Sequence, residues 1–182
     1  LSPMEREIIV TDLTRFQTGG KVCTAGIDRK TGECIRPMPY LTDQKCREVN
    51  LLPGAILSGE FTKLPSERPH VEDYRYSSLK YRGPASSAEF LEVLQKSTLP
   101  SVSEGFEIQL ENRQKHIPPD HPVQRSIITI AVSPGAVEVV PGYKEGTIKL
   151  SFRDGAGQRF QFLSITDLGF YEHAIGGVKV LL

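Results

Sequence analysis

Two runs in the second half of the chain constrain its fold more than any other feature. Ile148, Leu150 and Phe152 alternate with Lys149, Ser151 and Arg153, and Phe160 and Phe162 alternate with Arg159 and Gln161. Apolar residues at every second position place one face of an extended chain in a core and the other in water. Between the runs lies Asp154-Gly155-Ala156-Gly157, so they read as a hairpin. A four-residue loop sets Phe152 against Arg159 and mixes the faces. A three-residue loop, Gly155-Ala156-Gly157, sets Phe152 against Phe160 and Leu150 against Phe162. The shorter loop is expected, because one face has to be buried whole.

Short extended segments of this kind recur along the chain. Ile8 to Thr11, Ala55 to Lys63, Val71 to Tyr76, Arg125 to Val132 and Ala136 to Val140 all read as strands. Lys21 to Ile27 and Glu33 to Pro37 form a further hairpin. Setting Ile27 opposite Ile35 leaves the loop Lys30-Thr31-Gly32, pairs Arg29 with Glu33 and turns Arg36 to the opposite face. Pro118, Pro119 and Pro122 mark residues 112–122 as a loop. One helix is predicted over 86–97. Ser86-Ser87-Ala88-Glu89 is a capping box, and Phe90, Leu91 and Leu94 share a face opposite Glu89, Glu92 and Lys96. Such a helix suits the end of a barrel as a plug.

The chain is therefore expected to be all-β with one short helix. About ten strands over 182 residues divide into two packed OB-like five-stranded barrels, residues 4–103 with the helix and residues 104–182. Leu1-Ser2-Pro3 read as an addition ahead of Met4, where native translation is expected to start. Val10-Thr11-Asp12-Leu13 and Ile165-Thr166-Asp167-Leu168 echo each other. Each reads as a strand closing in an Asx-type turn, the other reading being a carboxylate pair.

Composition narrows the function. The 22 basic and 22 acidic side chains balance, with none of the basic excess usual in proteins that hold nucleic acid through its phosphates. Cys23, Cys34 and Cys46 form no CxxC pair and are odd in number, which fits free thiols in a reducing, cytoplasmic setting and gives no zinc spacing. No apolar stretch approaches the roughly 20 residues that span a bilayer, so no membrane partner is expected. GxSxG, HExxH, GxGxxG and P-loop patterns are absent, so no catalytic residues, metal or cofactor are assigned. A binding module is expected rather than an enzyme.

Three groups of residues suit a ligand. Arg36 could hold a phosphate or carboxylate bidentately, or form an internal ion pair with Glu72 or Asp73. Arg15 and Lys21 flank Gly19-Gly20, whose backbone N–H groups could approach an anion, or which could be plain loop. Tyr74, Arg75, Tyr76, Lys80, Tyr81 and Arg82 interleave aromatic and basic side chains. That pattern suits base stacking with phosphate contact on a single strand, and equally a strand with half-buried tyrosines.

Three segments of the first 75 residues resemble a bacterial and archaeal family described as dual OB-containing domains. They are Arg15 to Gly26, ending Gly-Gly-Lys-Val-Cys-Thr-Ala-Gly; Gly32-Glu33-Cys34-Ile35-Arg36-Pro37; and Pro69-His70-Val71-Glu72-Asp73-Tyr74. Cys34 and Tyr74 stand where that family often has tryptophan, and this chain has none. The resemblance implies paired OB folds and a module for nucleic acid or a related ligand. The expected ligand is single-stranded nucleic acid or a nucleotide-like anion. The other reading is a protein-interaction adaptor that touches no nucleic acid.

Overall fold

In the computed structural model the described residues are 4–15, 19–65, 70–111, 113–167 and 169–170. The first half supplies β1 (Met4–Arg15), β2 (Lys21–Asp28), β3 (Cys34–Met38), β4 (Leu41–Thr42), α1 (Asp43–Glu48), β5 (Ala55–Lys63) and β6 (Asp73–Pro84). β1 pairs with both β2 and β5, β3 with both β2 and β6, and β5 with β6, so the pairings run round a ring of five strands. All are antiparallel except β3 with β6, where Arg36 lies beside Asp73 and Pro37 beside Tyr74. β4 adds a short pairing to the start of β2.

The ring is buried inside and, where a helix lies against β1 and β2, outside as well, and that decides the registers there. Inside lie Ile8, Val10, Leu13, Val22, Ile35, Leu57 and Phe61. A bulge between Val10 and Asp12 resets the alternation of β1, so that Leu13 still points inward. Outside, Ile9 and Ile27 form a second cluster with Val93 of α2 (Ser87–Ser97). The hairpin register therefore differs from the expectation. Ile27 lies opposite Cys34 and Gly26 opposite Ile35, because Ile27 and Ile35 serve different faces. The loop holds four residues, Arg29 to Gly32. Asp28 N–H donates to the Glu33 carbonyl at 2.9 Å, and Asp28 Oδ1 accepts the N–H groups of Lys30 at 2.8 Å and Thr31 at 2.9 Å. Glycine is required at position 26, where a Cβ would stand 2.8 Å from the Ile9 carbonyl oxygen.

The predicted capping box is present: the Ser86 hydroxyl accepts Glu89 N–H and the Glu89 carboxylate accepts Ser86 N–H. The role expected of the helix is not. α2 packs on the outside of the ring through Phe90 and Val93, with Leu91 turned to solvent. The end of the ring is closed by α1, a six-residue helix missed in the sequence, with Cys46 and the following Leu51 in the inner core.

Beyond α2 come β7 (Thr98–Leu99), α3 (Val102–Phe106), β8 (Thr129–Ile130), β9 (Val137–Pro141), β10 (Ile148–Arg153) and β11 (Arg159–Ser164). β9, β10 and β11 form one sheet and β7 pairs in parallel with β8. The strand expected over 125–132 is only Thr129–Ile130, and among the described residues α1, α2 and α3 stand where one helix was expected. The β10–β11 turn has the three-residue loop: Asp154 N–H donates to the Gln158 carbonyl at 3.0 Å and Gly157 takes φ +84°. Phe152 stacks on Phe160 with centroids 5.1 Å apart. Further along, a bulge brings Leu163 rather than Phe162 opposite Leu150. Phe162 turns outward at φ +55°, its N–H taken by the Ser151 hydroxyl at 3.1 Å. Val102, Leu110 and Phe160 centre the core of this half.

A buried carboxylate ties the halves together. Glu72, just before β6, accepts Ser126 N–H at 2.6 Å, Ile127 N–H at 3.1 Å and the Ser126 hydroxyl. A lone antiparallel bridge joins Thr14 to Asp167. Glu72→Gln keeps the shape but sets an amide N–H₂ against these donors. It is expected to lower stability by about 1–3 kcal/mol, the cost of stranding buried polar groups. Melting curves check the loss, and hydrogen exchange should accelerate first at Ser126 and Ile127.

Candidate functional site

The residues singled out in the sequence divide into internal ties and exposed cations. Arg36 is 6 % exposed, so it is not a free anion hook. Its Nε donates to Asp73 Oδ1 at 2.6 Å, and its guanidinium carbon lies 5.8 Å from the centre of the Tyr40 ring. The register of β3 beside β6 makes this pair, which was one of the two readings open in the sequence.

The interleaved stretch separates by strand period. Tyr74 is 3 % exposed and packs in the inner core, with the half-buried Tyr76 against the same cluster. Tyr74 presents no face for base stacking, which corrects its assignment as a ligand contact, while Tyr76 keeps part of its ring in solvent. Arg75, Lys80 and Arg82 are exposed, and Arg82 Nε donates to the Ser58 hydroxyl at 2.7 Å. Lys21 is exposed opposite Thr42, and Arg15 ends β1 opposite Val22. Gly19 and Gly20 take φ of +97° and +60°, turns that glycine adopts freely.

Tyr74 instead belongs to a polar cluster at the ring end opposite α1. Its hydroxyl donates to Glu33, Arg6 Nη1 donates to Glu33 Oε2 at 2.7 Å, and Lys63 Nζ stands 3.7 Å from Glu33 Oε1. Arg6 also lies over the Tyr74 ring, 5.3 Å from its centre. Burial raises the Glu33 carboxyl, but the hydrogen bonds from Tyr74 and Arg6 and the charges of Arg6 and Lys63 outweigh it. The net shift is downward.

On the outer face of β2 and β3 the second half leaves a cleft of about 330 Å³. Ile27 and Cys34 line it; Lys63, Lys96 and Arg125 bring cations to it from three separate segments, beside the carboxylates of Asp12, Glu33 and Glu72. Lys96 Nζ donates to the Arg29 carbonyl at 3.0 Å and pairs with Glu92, and Arg125 Nη1 donates to the Gly105 carbonyl at 3.1 Å. Burial, with the charges of Glu72 and Asp12, pushes the Cys34 thiol up, which disfavours the thiolate. The Asp12 carboxyl is raised by burial and by Asp167, against a hydrogen bond from the Thr11 hydroxyl. The two echoing segments thus do meet, while Asp167 Oδ1 also accepts Gly169 and Phe170 N–H groups in the expected turn. Sequence reasoning missed Lys63, Lys96 and Arg125, because no spacing links residues that only the fold assembles. Among the described residues no group of three His, Cys, Asp or Glu side chains could hold a metal ion, and no helix is long and apolar enough to cross a membrane.

A five-stranded ring with a helix closing one end is the architecture of an OB fold, whose second and third strands form the usual ligand face. The chain belongs to the family described as the dual OB-containing domain, whose model matches residues 7–179. No curated protein and no solved structure matches it.

Glu33 supplies a test of the polar cluster. A carboxyl lowered in the folded state stabilises it above the unfolded value, near about 4.3, and that contribution is lost as pH falls through the folded value. Glu33→Gln should therefore be less stable than the parent at neutral pH. The gap should close below about pH 4. Denaturant melts at both pH values check this.

Proposed function

We propose that the chain is a binding module for a nucleotide-like anion, held in the cleft between its two halves. The observation that carries this reading is the convergence of Lys63, Lys96 and Arg125 on the outer face of β2 and β3, where OB folds take their ligands. Clefts between packed halves are common ligand sites, and about 330 Å³ lies within the range of small-molecule pockets. Asp12 and the Thr31, Ser97 and Thr129 hydroxyls add polar groups suited to a sugar or base edge. The second half lies over this face, which favours a small ligand over a strand threaded along it.

Isothermal titration with nucleoside mono- and triphosphates should give one site per chain. At a hundredfold excess over Kd such a ligand adds about 2.7 kcal/mol of stability and raises the melting temperature by several degrees. Lys96→Glu should weaken binding at least tenfold while the fold survives, because Lys96 is exposed on α2. Absence of heat and of any melting shift at millimolar nucleotide would overturn the proposal.

A second reading places nucleic acid on the outside of β6. Arg75 and Lys80 are exposed there and make no ion pair among the described residues. Binding of that kind should fall steeply with salt, since each phosphate contact releases counterions. Arg75→Ala and Lys80→Ala should each reduce the salt slope by about one unit in anisotropy titrations with labelled single strands. If neither nucleotide nor strand binds at low salt, a protein partner becomes the better reading.

A further inference from the structure

The core of the second half is not closed. Between β8, β10, β11, α3 and the 113–128 loop lies a cavity of about 450 Å³, which adjoins the cleft on the first ring across Arg125 and Ile128. Ile117, Ile128, Ile130, Phe152 and Leu163 face it and remain half exposed. Native interiors hold few voids larger than a water molecule, so an apolar space of this size is the shape of a binding pocket.

The charges around it have one sign. Lys115 and Arg125 line the cavity beside His70, His116 and His121, and among the described residues no Asp or Glu does, although the chain as a whole is balanced. Three of the four histidines in the sequence are gathered here. They do not form a metal site, since no such group of side chains converges among the described residues. Arg125 is partly committed, with Glu107 at 3.3 Å, while Lys115 stands over the exposed Phe162 ring with its ammonium 5.9 Å from the centre. The rim is braced from within its own loop: Gln114 accepts Glu111 N–H at 2.9 Å and donates to the His116 carbonyl at 2.9 Å.

We infer that this cavity binds an amphipathic monoanion, a carboxylate carried on an apolar body. The body would replace water against Ile128, Ile130 and Phe152, and the carboxylate would meet Lys115 and the imidazoles at the mouth. An apolar wall selects for any greasy molecule; the basic rim, where Glu107 answers only Arg125 among the lining cations, selects among them by charge.

The absence of tryptophan from the chain makes the test direct. Ile117→Trp places a single indole at the cavity, on the loop rather than in a strand. Decanoate and 1-naphthoate, titrated below their aggregation limits, should each shift its emission to shorter wavelength with saturation at one per chain. Decyltrimethylammonium should bind at least tenfold more weakly than decanoate. Calorimetry on the unmodified protein should give the same order, which covers the case in which the reporter disturbs the loop. Lys115→Glu, at an exposed position, should weaken decanoate at least tenfold without lowering the melting temperature. Equal binding of cation and anion would overturn the charge selection. No response to either carboxylate in both reporter and unmodified protein would overturn the site.

Discussion

The architecture depends on one carboxylate. Glu72 is buried between the halves and takes three donors from Ser126 and Ile127, leaving few lone pairs unanswered. A charge in that position would be prohibitive without such partners, and with them it is a strong, directional tie. It sets how the second half lies over β2 and β3, and hence the shape of the cleft. The donors are two consecutive backbone N–H groups and a hydroxyl, so the tie reads the local conformation of the chain at 126–127 rather than its side-chain bulk.

The neighbours of Glu72 show how much one short segment can carry. Asp73 turns to the outside of the ring and neutralises Arg36; Tyr74 turns inward and donates to Glu33. Three consecutive residues thus face the second half, the parallel neighbour strand and the interior. The segments that carry the resemblance to the family, Ile35-Arg36-Pro37 and Glu72-Asp73-Tyr74, are in this chain cross-ties between strands distant in sequence. Removing Asp73 would strand a buried guanidinium, which costs more than the intact pair contributes. A motif of this kind identifies a fold without naming its ligand.

What the residues revealed in advance follows a physical line. The β10–β11 turn and the capping box of α2 were legible because their partners lie within a few positions: Asp154 with Gln158, Ser86 with Glu89. The β2–β3 register was not, for two reasons. Asp28 folds its own side chain into the loop, and α2 buries Ile27 on the face opposite Ile35, so both faces of the hairpin are apolar. α1 escaped notice because six residues with one buried side chain carry almost no periodicity. The tyrosines of β6 could be placed on either side of the strand until the ring was known. The cleft and the apolar cavity were invisible for a stronger reason, since their walls come from segments that no local pattern connects.

The parallel contact of β3 with β6 also bears on how the chain folds. Arg36 meets Asp73 only after 37 positions of chain have been gathered in, and β1 must find β5 across a comparable span. Closing such loops costs entropy before any contact repays it, so a topology of this kind folds slowly for its size. A nascent chain can zip β1, β2 and β3 as hairpins early, but the ring stays open until residue 84 is available. Until residues 126–127 follow, the Glu72 carboxylate lacks the three donors that Ser126 and Ile127 bring. The last event in maturation is thus the arrival of the second half, and chains arrested before it would leave the outer face of β2 and β3 as a sticky, unfinished surface.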